Sequence, residues 1–180
     1  MKTLYLLRHA KSSWNDPGLS DHDRPLAPRG DDAAPRIGRT LRELGVAPDR
    51  VLCSSAERAR RTWDLVGREL DTDAPAERRE DLYDASPADV VAAVQDTPAD
   101  AEALMVVGHN PTMERLAETL AGDGDPAALR EMAAKFPTGA LAELRFDTRS
   151  WTAVAPGAGH LARFLKPKKL PDPAPDPDAP

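Results

Sequence analysis

One cysteine, Cys53, stands in 180 residues, so no disulfide can form within the chain. That excludes a disulfide-stapled secreted scaffold and fits a reducing cytoplasm. Basic residues are in deficit as well: 24 Lys and Arg against 30 Asp and Glu leave a net charge of -6. The balance argues against a nucleic-acid groove, although an acidic protein can still focus positive charge around a bound anion. Long apolar runs are missing. None is long enough to span a bilayer, and the run behind Lys2 stops at Arg8, too short for the apolar region of a signal peptide. Neither a membrane nor a nucleic acid is an expected partner. Paired clusters of metal ligands are also lacking: Asp21-His22-Asp23 has no companion cluster and reads as a solvated loop. No metal or other cofactor is expected, and no internal repeat is seen.

What is there suffices for one domain. A chain of this length buries roughly 70% of its unfolded surface and requires no staple. The domain is expected over 1–166. From Leu170 onward the chain is mostly proline, aspartate and alanine, which cannot form a helix or a central strand, so 167–180 reads as a disordered tail.

Within the domain, short apolar runs alternate with helical periodicity. Leu4 to Leu7 form an apolar run bounded by polar residues, as in a strand buried on both faces of a parallel sheet. After a Pro- and Gly-rich loop, Ala34, Ile37, Leu41 and Leu44 mark a helix from about Gly30 to Gly45. Val51-Leu52-Cys53 is a second strand, and Ser54 with Glu57 has capping-box spacing for a helix reaching Leu70. A short strand is expected near Arg78 to Leu82, and Ser86-Pro87 opens a helix through Val94. Residues 103–107 form a strand, and Asn110 and Pro111 then cap and begin a helix through Leu120. Beyond a Gly-Asp turn at 122–125, a short helix covers 126–134. A hairpin of 141–146 with 151–154 is expected, followed by an extended segment at 160–165. The alternation implies an α/β fold with a mostly parallel sheet.

Open α/β sheets bind ligands beyond the carboxyl ends of their strands. Three of the expected strands end in groups suited to an anion: Arg8 and His9, then Ser54 to Arg58, then His109 beside a helix start. One Arg-His pair is weak evidence alone; three such ends converging on one sheet edge are expected to make a coherent anion pocket. Cys53 with Arg58 does not complete a cysteine-phosphatase loop, which needs five intervening residues where this chain has four. His160 and the Lys166, Lys168 and Lys169 group read as structural and solvated.

Five pieces of the chain stand out together: 7–14 (Leu-Arg-His-Ala-Lys-Ser-Ser-Trp), Asp23-Arg24-Pro25-Leu26 with Arg29-Gly30, Ser54-Ser55-Ala56-Glu57-Arg58-Ala59, Gly108-His109-Asn110-Pro111-Thr112 and Phe136-Pro137-Thr138-Gly139-Ala140. In these pieces and their order the sequence resembles the histidine phosphatase superfamily, and within it the small SixA-type phosphohistidine phosphatases. The resemblance implies a phosphoglycerate mutase-like three-layer sandwich with helices on both faces of the sheet. It implies that His9 carries the phosphoryl group, that Arg8 and Arg58 bind its oxygens and that His109 completes the pocket; Ser12, Asn15 and Asn110 are further candidates for phosphate contact. It also implies a phosphorylated partner, either phosphohistidine on a protein or a small phosphorylated compound. The chain departs from the wider superfamily in having Ala10 where Gly is frequent, and in lacking an obvious general-acid motif after the third strand. Glu80, Asp81 and Asp84 lie in that region and read first as solvated charges. The other readings left open are a small-molecule phosphomonoesterase and a phosphate-binding module without turnover.

Overall fold

In the computed structural model, which describes residues 1–170, the strand β1 (Lys2–Arg8) runs through the centre of a seven-stranded sheet. Its side chains alternate between two cores, as the pleat requires: Leu4 and Leu6 pack on one face, Tyr5 and Leu7 on the other. The same split recurs in β2 (Arg50–Ser54) and β4 (Ala103–Gly108), where Leu52, Leu104 and Val106 face one core and Val51, Cys53, Met105 and Val107 the other. Both faces are apolar because both are covered by helices.

The amphipathic helices α1 (Pro28–Glu43) and α2 (Glu57–Leu70) cover the Tyr5 face with Ala34, Ile37, Leu41, Trp63 and Val66. On the Leu4 face lie α3 (Pro87–Gln95), α4 (Thr112–Leu120) and α5 (Pro126–Ala134), through Val90, Val94, Met113, Leu116 and Met132. This is the expected three-layer α/β arrangement. With β3 (Ala76–Arg79), β5 (Ala121–Gly124), β6 (Leu141–Phe146) and β7 (Gly159–Leu165), the strand order is β3-β2-β4-β1-β6-β7-β5. Only β6 runs against the others, pairing antiparallel with β1 and β7.

Several local expectations are revised. Ser54 does not cap α2: it is the last residue of β2, and the cap position falls on Ala56 without a side-chain bond. Residues 151–154 are not a strand. Trp151–Ala153 forms a 3-10 turn, and the hairpin partner of β6 is β7. Trp151 is instead a core residue whose Nε1 donates to the carbonyl of Ala101 at 2.9 Å, beside the fully buried Lys2 Nζ, which donates to the same carbonyl at 2.7 Å. These nonlocal bonds outcompete any extended propensity of the segment. The Gly-Asp turn contains β5, an edge strand parallel to β7, and Arg79 is followed by a 3-10 turn at Glu80–Leu82 in place of continued strand. In α4 the cap position falls on Pro111 rather than Asn110. Ser86 caps α3 as expected, and Asp89 completes a capping box with it. At the expected domain end, Pro167–Lys169 forms a 3-10 turn against α1, and the remainder of the expected tail, 171–180, lies outside the described residues.

Candidate active site

The sheet brings three strand ends side by side. Arg8 of β1 is level with Gly108 of β4, and Cys53 of β2 with Val107, so the residues that follow each strand emerge at one edge. His9 is held there by backbone on both sides: its N-H donates to the Gly108 carbonyl at 3.0 Å, and its carbonyl accepts from Gly139 N-H at 2.9 Å. Gly139 also donates to the Arg8 carbonyl at 3.0 Å, with φ of 75°, a conformation that disfavours a side chain. Ala10 N-H donates to the Thr62 hydroxyl at 2.9 Å, which in turn donates to the Arg58 carbonyl at 2.6 Å. The β1 end and the first turn of α2 are thereby fixed to one another.

The His9 ring is only 6% exposed, and its Nδ1 lies 2.6 Å from the Ala10 carbonyl. A carbonyl only accepts, so Nδ1 carries the proton and Nε2 keeps its lone pair. Burial, reinforced by the charge of Arg58 and Arg8, lowers the His9 pKa to about 3. The imidazole is neutral at physiological pH. His109, its ring centroid 5.1 Å away, places Nε2 2.7 Å from the Ser54 hydroxyl. Burial and then Arg58 lower its pKa to about 4, so it too is neutral.

These groups line an open cleft of about 350 Å³ together with Arg8, Lys11, Ser12, Trp14, Asp21, Arg24, Arg58, Tyr83, Asp84, Asn110 and Thr138. Arg8 Nη1 donates to the Phe136 carbonyl at 2.8 Å, and Asn110 Nδ2 to the same atom at 3.1 Å, which explains why the segment before Gly139 belongs to the site. Arg58 sits 5% exposed in the first turn of α2, donating from Nη1 to the Asp21 carbonyl at 2.6 Å and from Nη2 to the Asp21 carboxylate at 3.1 Å. Buried nitrogens of Arg8 (Nε), Arg58 (Nε) and His109 (Nδ1) have no hydrogen-bond partner among the described residues. Such groups are costly to leave unsatisfied, and an anion with several acceptor oxygens suits the two guanidinium donors.

Of the seven residues expected to contact substrate, six line the cleft: Arg8, His9, Ser12, Arg58, His109 and Asn110. Asn15 does not. It is exposed on the loop between Ser12 and Arg24, and its backbone N-H donates to the Ser13 hydroxyl at 3.2 Å. Asp21 lies in an exposed turn, as expected, but its carboxylate also meets Arg58, Arg24 at 2.9 Å and the Tyr83 hydroxyl at 2.5 Å, and these contacts, led by the Tyr83 hydrogen bond, lower its pKa to about 2. Arg24, present in a matching motif but given no role there, is only 7% exposed and ties Asp21 to the Ser12 hydroxyl at 2.9 Å. The spacing of Asp21 and Arg24 three apart in a loop was the one available sign of their pairing. Among the candidate acids, Asp84 reaches the exposed lip of the cleft, whereas Glu80 and Asp81 do not line it, and Asp81 pairs with Arg79. Among the described residues no group of three or more His, Cys, Asp or Glu is placed to hold a metal ion, and no helix is long and apolar enough to cross a membrane.

A doubly covered α/β sheet that gathers arginines around a neutral, backbone-oriented histidine at its strand ends has the features that suit binding of a phosphoryl group. The chain belongs to the histidine phosphatase superfamily (branch 1), whose family model matches residues 4–90. It is 44% identical over 164 residues to the uncharacterized protein Rv1276c of Mycobacterium tuberculosis, covering 90% of this chain and 100% of that one. Among solved structures it is similar to the candidate phosphohistidine phosphatase SixA from Nakamurella multipartitia, with a TM-score of 0.80, 33% identity, and coverage of 92% of this chain and 96% of that one. It is also similar to a protein histidine phosphatase SixA complexed with tungstate, with a TM-score of 0.76, 25% identity, and coverage of 94% and 99%. The superfamily and these neighbours support phosphatase activity.

Proposed function

We propose that the chain removes phosphate from phosphohistidine on a protein, with His9 as the transient carrier. The observation that carries this reading is the pairing of a neutral nucleophile with a cleft in which the exposed carboxylate of Asp21 is held ionised by Arg58, Arg24 and Tyr83. A neutral imidazole attacks phosphorus without first losing a proton. Nε2 of His9 forms the new P-N bond as the substrate's P-N bond breaks in line opposite it, and the departing imidazole takes its proton from solvent. Water then attacks phospho-His9, releasing orthophosphate and restoring the ring. Arg8 and Arg58 neutralise the charge on the equatorial oxygens, the role to which planar, bidentate donors are suited. His109 and Asn110 complete the phosphate pocket, and Ser12 supports it through Arg24. An imidazole leaving group has a reference pKa near 6.5 and departs readily at neutral pH, whereas an alkoxide needs a dedicated acid. The single, buried Cys53 fits a reducing cytoplasmic setting.

A second reading rests on Asp84. A carboxyl at the lip of the cleft is placed where it could protonate an alcohol leaving group, as a small-molecule phosphomonoesterase requires. A kinetic panel separates the two: the phosphohistidine reading expects kcat/KM on a phosphohistidine peptide to exceed that on sugar phosphate or phosphoglycerate by at least tenfold. Comparable values overturn it. His9→Ala is expected to abolish turnover while retaining some phosphate binding, and wild type denatured in base during turnover to carry acid-labile, base-stable phosphate. A His9→Ala protein at the wild-type rate overturns the covalent route.

A further inference from the structure

We propose that Trp14 determines specificity by stacking on a planar ring in the leaving group, an inference that deepens the phosphohistidine reading and rests on it. Three tryptophans occur in the chain, and two are put to ordinary use: Trp63 and Trp151 are buried in the two cores. Trp14 is 70% exposed, although it lines the cleft. It is the one apolar side chain of that lining left open to solvent; the other exposed members, Lys11, Asp21 and Asp84, are charged.

Its position is held from one side. The Arg24 guanidinium carbon lies 3.5 Å from the indole centroid, close cation-π contact. Arg24 is itself immobilised, donating to the Asp21 carboxylate at 2.9 Å, the Ser12 hydroxyl at 2.9 Å and the Ser13 carbonyl at 3.1 Å. One face of the indole therefore rests on a buried, triply bonded base. A tryptophan serving only the stability of its loop would bury more of its area, because exposed apolar surface forgoes roughly 25 cal/mol per Å².

The chemistry of the site indicates what meets the ring. In-line transfer puts the leaving group opposite His9 Nε2. His9 is buried, so a group departing opposite it projects toward the open mouth of the cleft, where the exposed indole lies. A flat leaving group such as an imidazole or an aryl oxide offers a face to the indole; an alkyl alcohol does not. Tyr83, the other aromatic of the lining, is committed elsewhere: its hydroxyl is bound to Asp21 and its ring meets His22 and His109 edge-on. Aromatic pairs gain about 0.5–1.5 kcal/mol beyond area burial, or about two- to tenfold in rate when the contact is realised at the transition state.

The test compares wild type, Trp14→Ala and Trp14→Phe on an aryl phosphate, a phosphohistidine peptide and glycerol phosphate. The expected result is a fall of about five- to tenfold in the aryl-to-alkyl ratio of kcat/KM for Trp14→Ala, with Trp14→Phe recovering most of it. A variant that merely loosens the loop lowers all substrates together, and an unmoved ratio overturns the proposal. The outcomes for the two readings are separable. If wild type does not favour the phosphohistidine peptide but Trp14→Ala still erodes the aryl preference, the substrate assignment fails and the role of Trp14 stands. If the peptide is favoured and the ratio does not move, the role of Trp14 fails and the assignment stands.

Discussion

Acidification from pH 7.5 to pH 5.0 is expected to destabilise this protein through the two histidines of its cleft. Burial lowers His9 to about 3 and His109 to about 4, against 6.5 for a solvated ring. Both folded values lie below the unfolded one, so the unfolded chain takes up these protons first. The stability is fully present above about pH 6.5 and is lost as pH falls toward the folded values. At pH 5.0 the medium is about 1.5 units below the unfolded pKa and still above both folded values, which at 1.36 kcal/mol per unit costs about 2 kcal/mol for each ring and about 4 kcal/mol for both. A domain of this size has about 5–15 kcal/mol in total, so the loss is large. Asp21, with its pKa lowered to about 2, acts in a different window, because its unfolded reference of 3.8 lies below pH 5. Urea unfolding followed by circular dichroism at the two pH values measures the loss. His9→Asn keeps an amide N-H to meet the Ala10 carbonyl, and His109→Gln keeps a polar tip near Ser54; each is expected to reduce the loss by about 2 kcal/mol. His22 and His160 remain in every protein and cancel. If both variants lose as much stability as wild type between the two pH values, the rings are not buried neutral and the reasoning that makes His9 a ready nucleophile fails with them.

Two further outcomes follow from particular contacts. Ser54→Ala removes the hydroxyl 2.7 Å from His109 Nε2, and kcat is expected to fall about tenfold with a stability loss of about 1 kcal/mol, read from steady-state kinetics and urea midpoints. Gly30→Ala would set a Cβ 2.1 Å from the backbone oxygen of Lys11, where α1 meets the cleft lip, so a loss of about 1–3 kcal/mol is expected by thermal unfolding.

Much of the architecture is written locally. The apolar runs of β1 and β4, the stripes of α1, α2 and α4 and the Ser86-Asp89 capping box are all set by periodicity and nearest-neighbour chemistry, and each forms. What the sequence alone misplaced depends on distant partners. The Trp151 segment has strand-like composition, yet the Ala101 carbonyl draws its indole into the core; Gly122 and Gly124 read as a turn, yet β7 offers them an edge to pair with. Ser54 has the spacing of a cap, but the strand extends one residue further and turns its hydroxyl to His109.

The cleft divides the same way. That Arg8, His9, Arg58 and His109 would meet in one cleft was legible because strand ends and helix starts are sequence features, and a parallel sheet brings such ends to one edge. The environment that sets their chemistry was not legible. Only the tertiary structure commits His9 Nδ1 to a buried carbonyl, keeps both rings neutral by desolvation, and leaves Asn15 exposed while setting Arg24 against Ser12 and Trp14. Asp21 makes the distinction plainest. In the sequence it is one acid among 30 acidic residues, and solvation is the default for such a charge. In the fold it meets Arg58, 37 residues away, and Tyr83, 62 residues away. Local sequence determines which groups are present at the strand ends; long-range packing determines their protonation, orientation and partners, because desolvation and charge pairing depend on everything that surrounds a group in space.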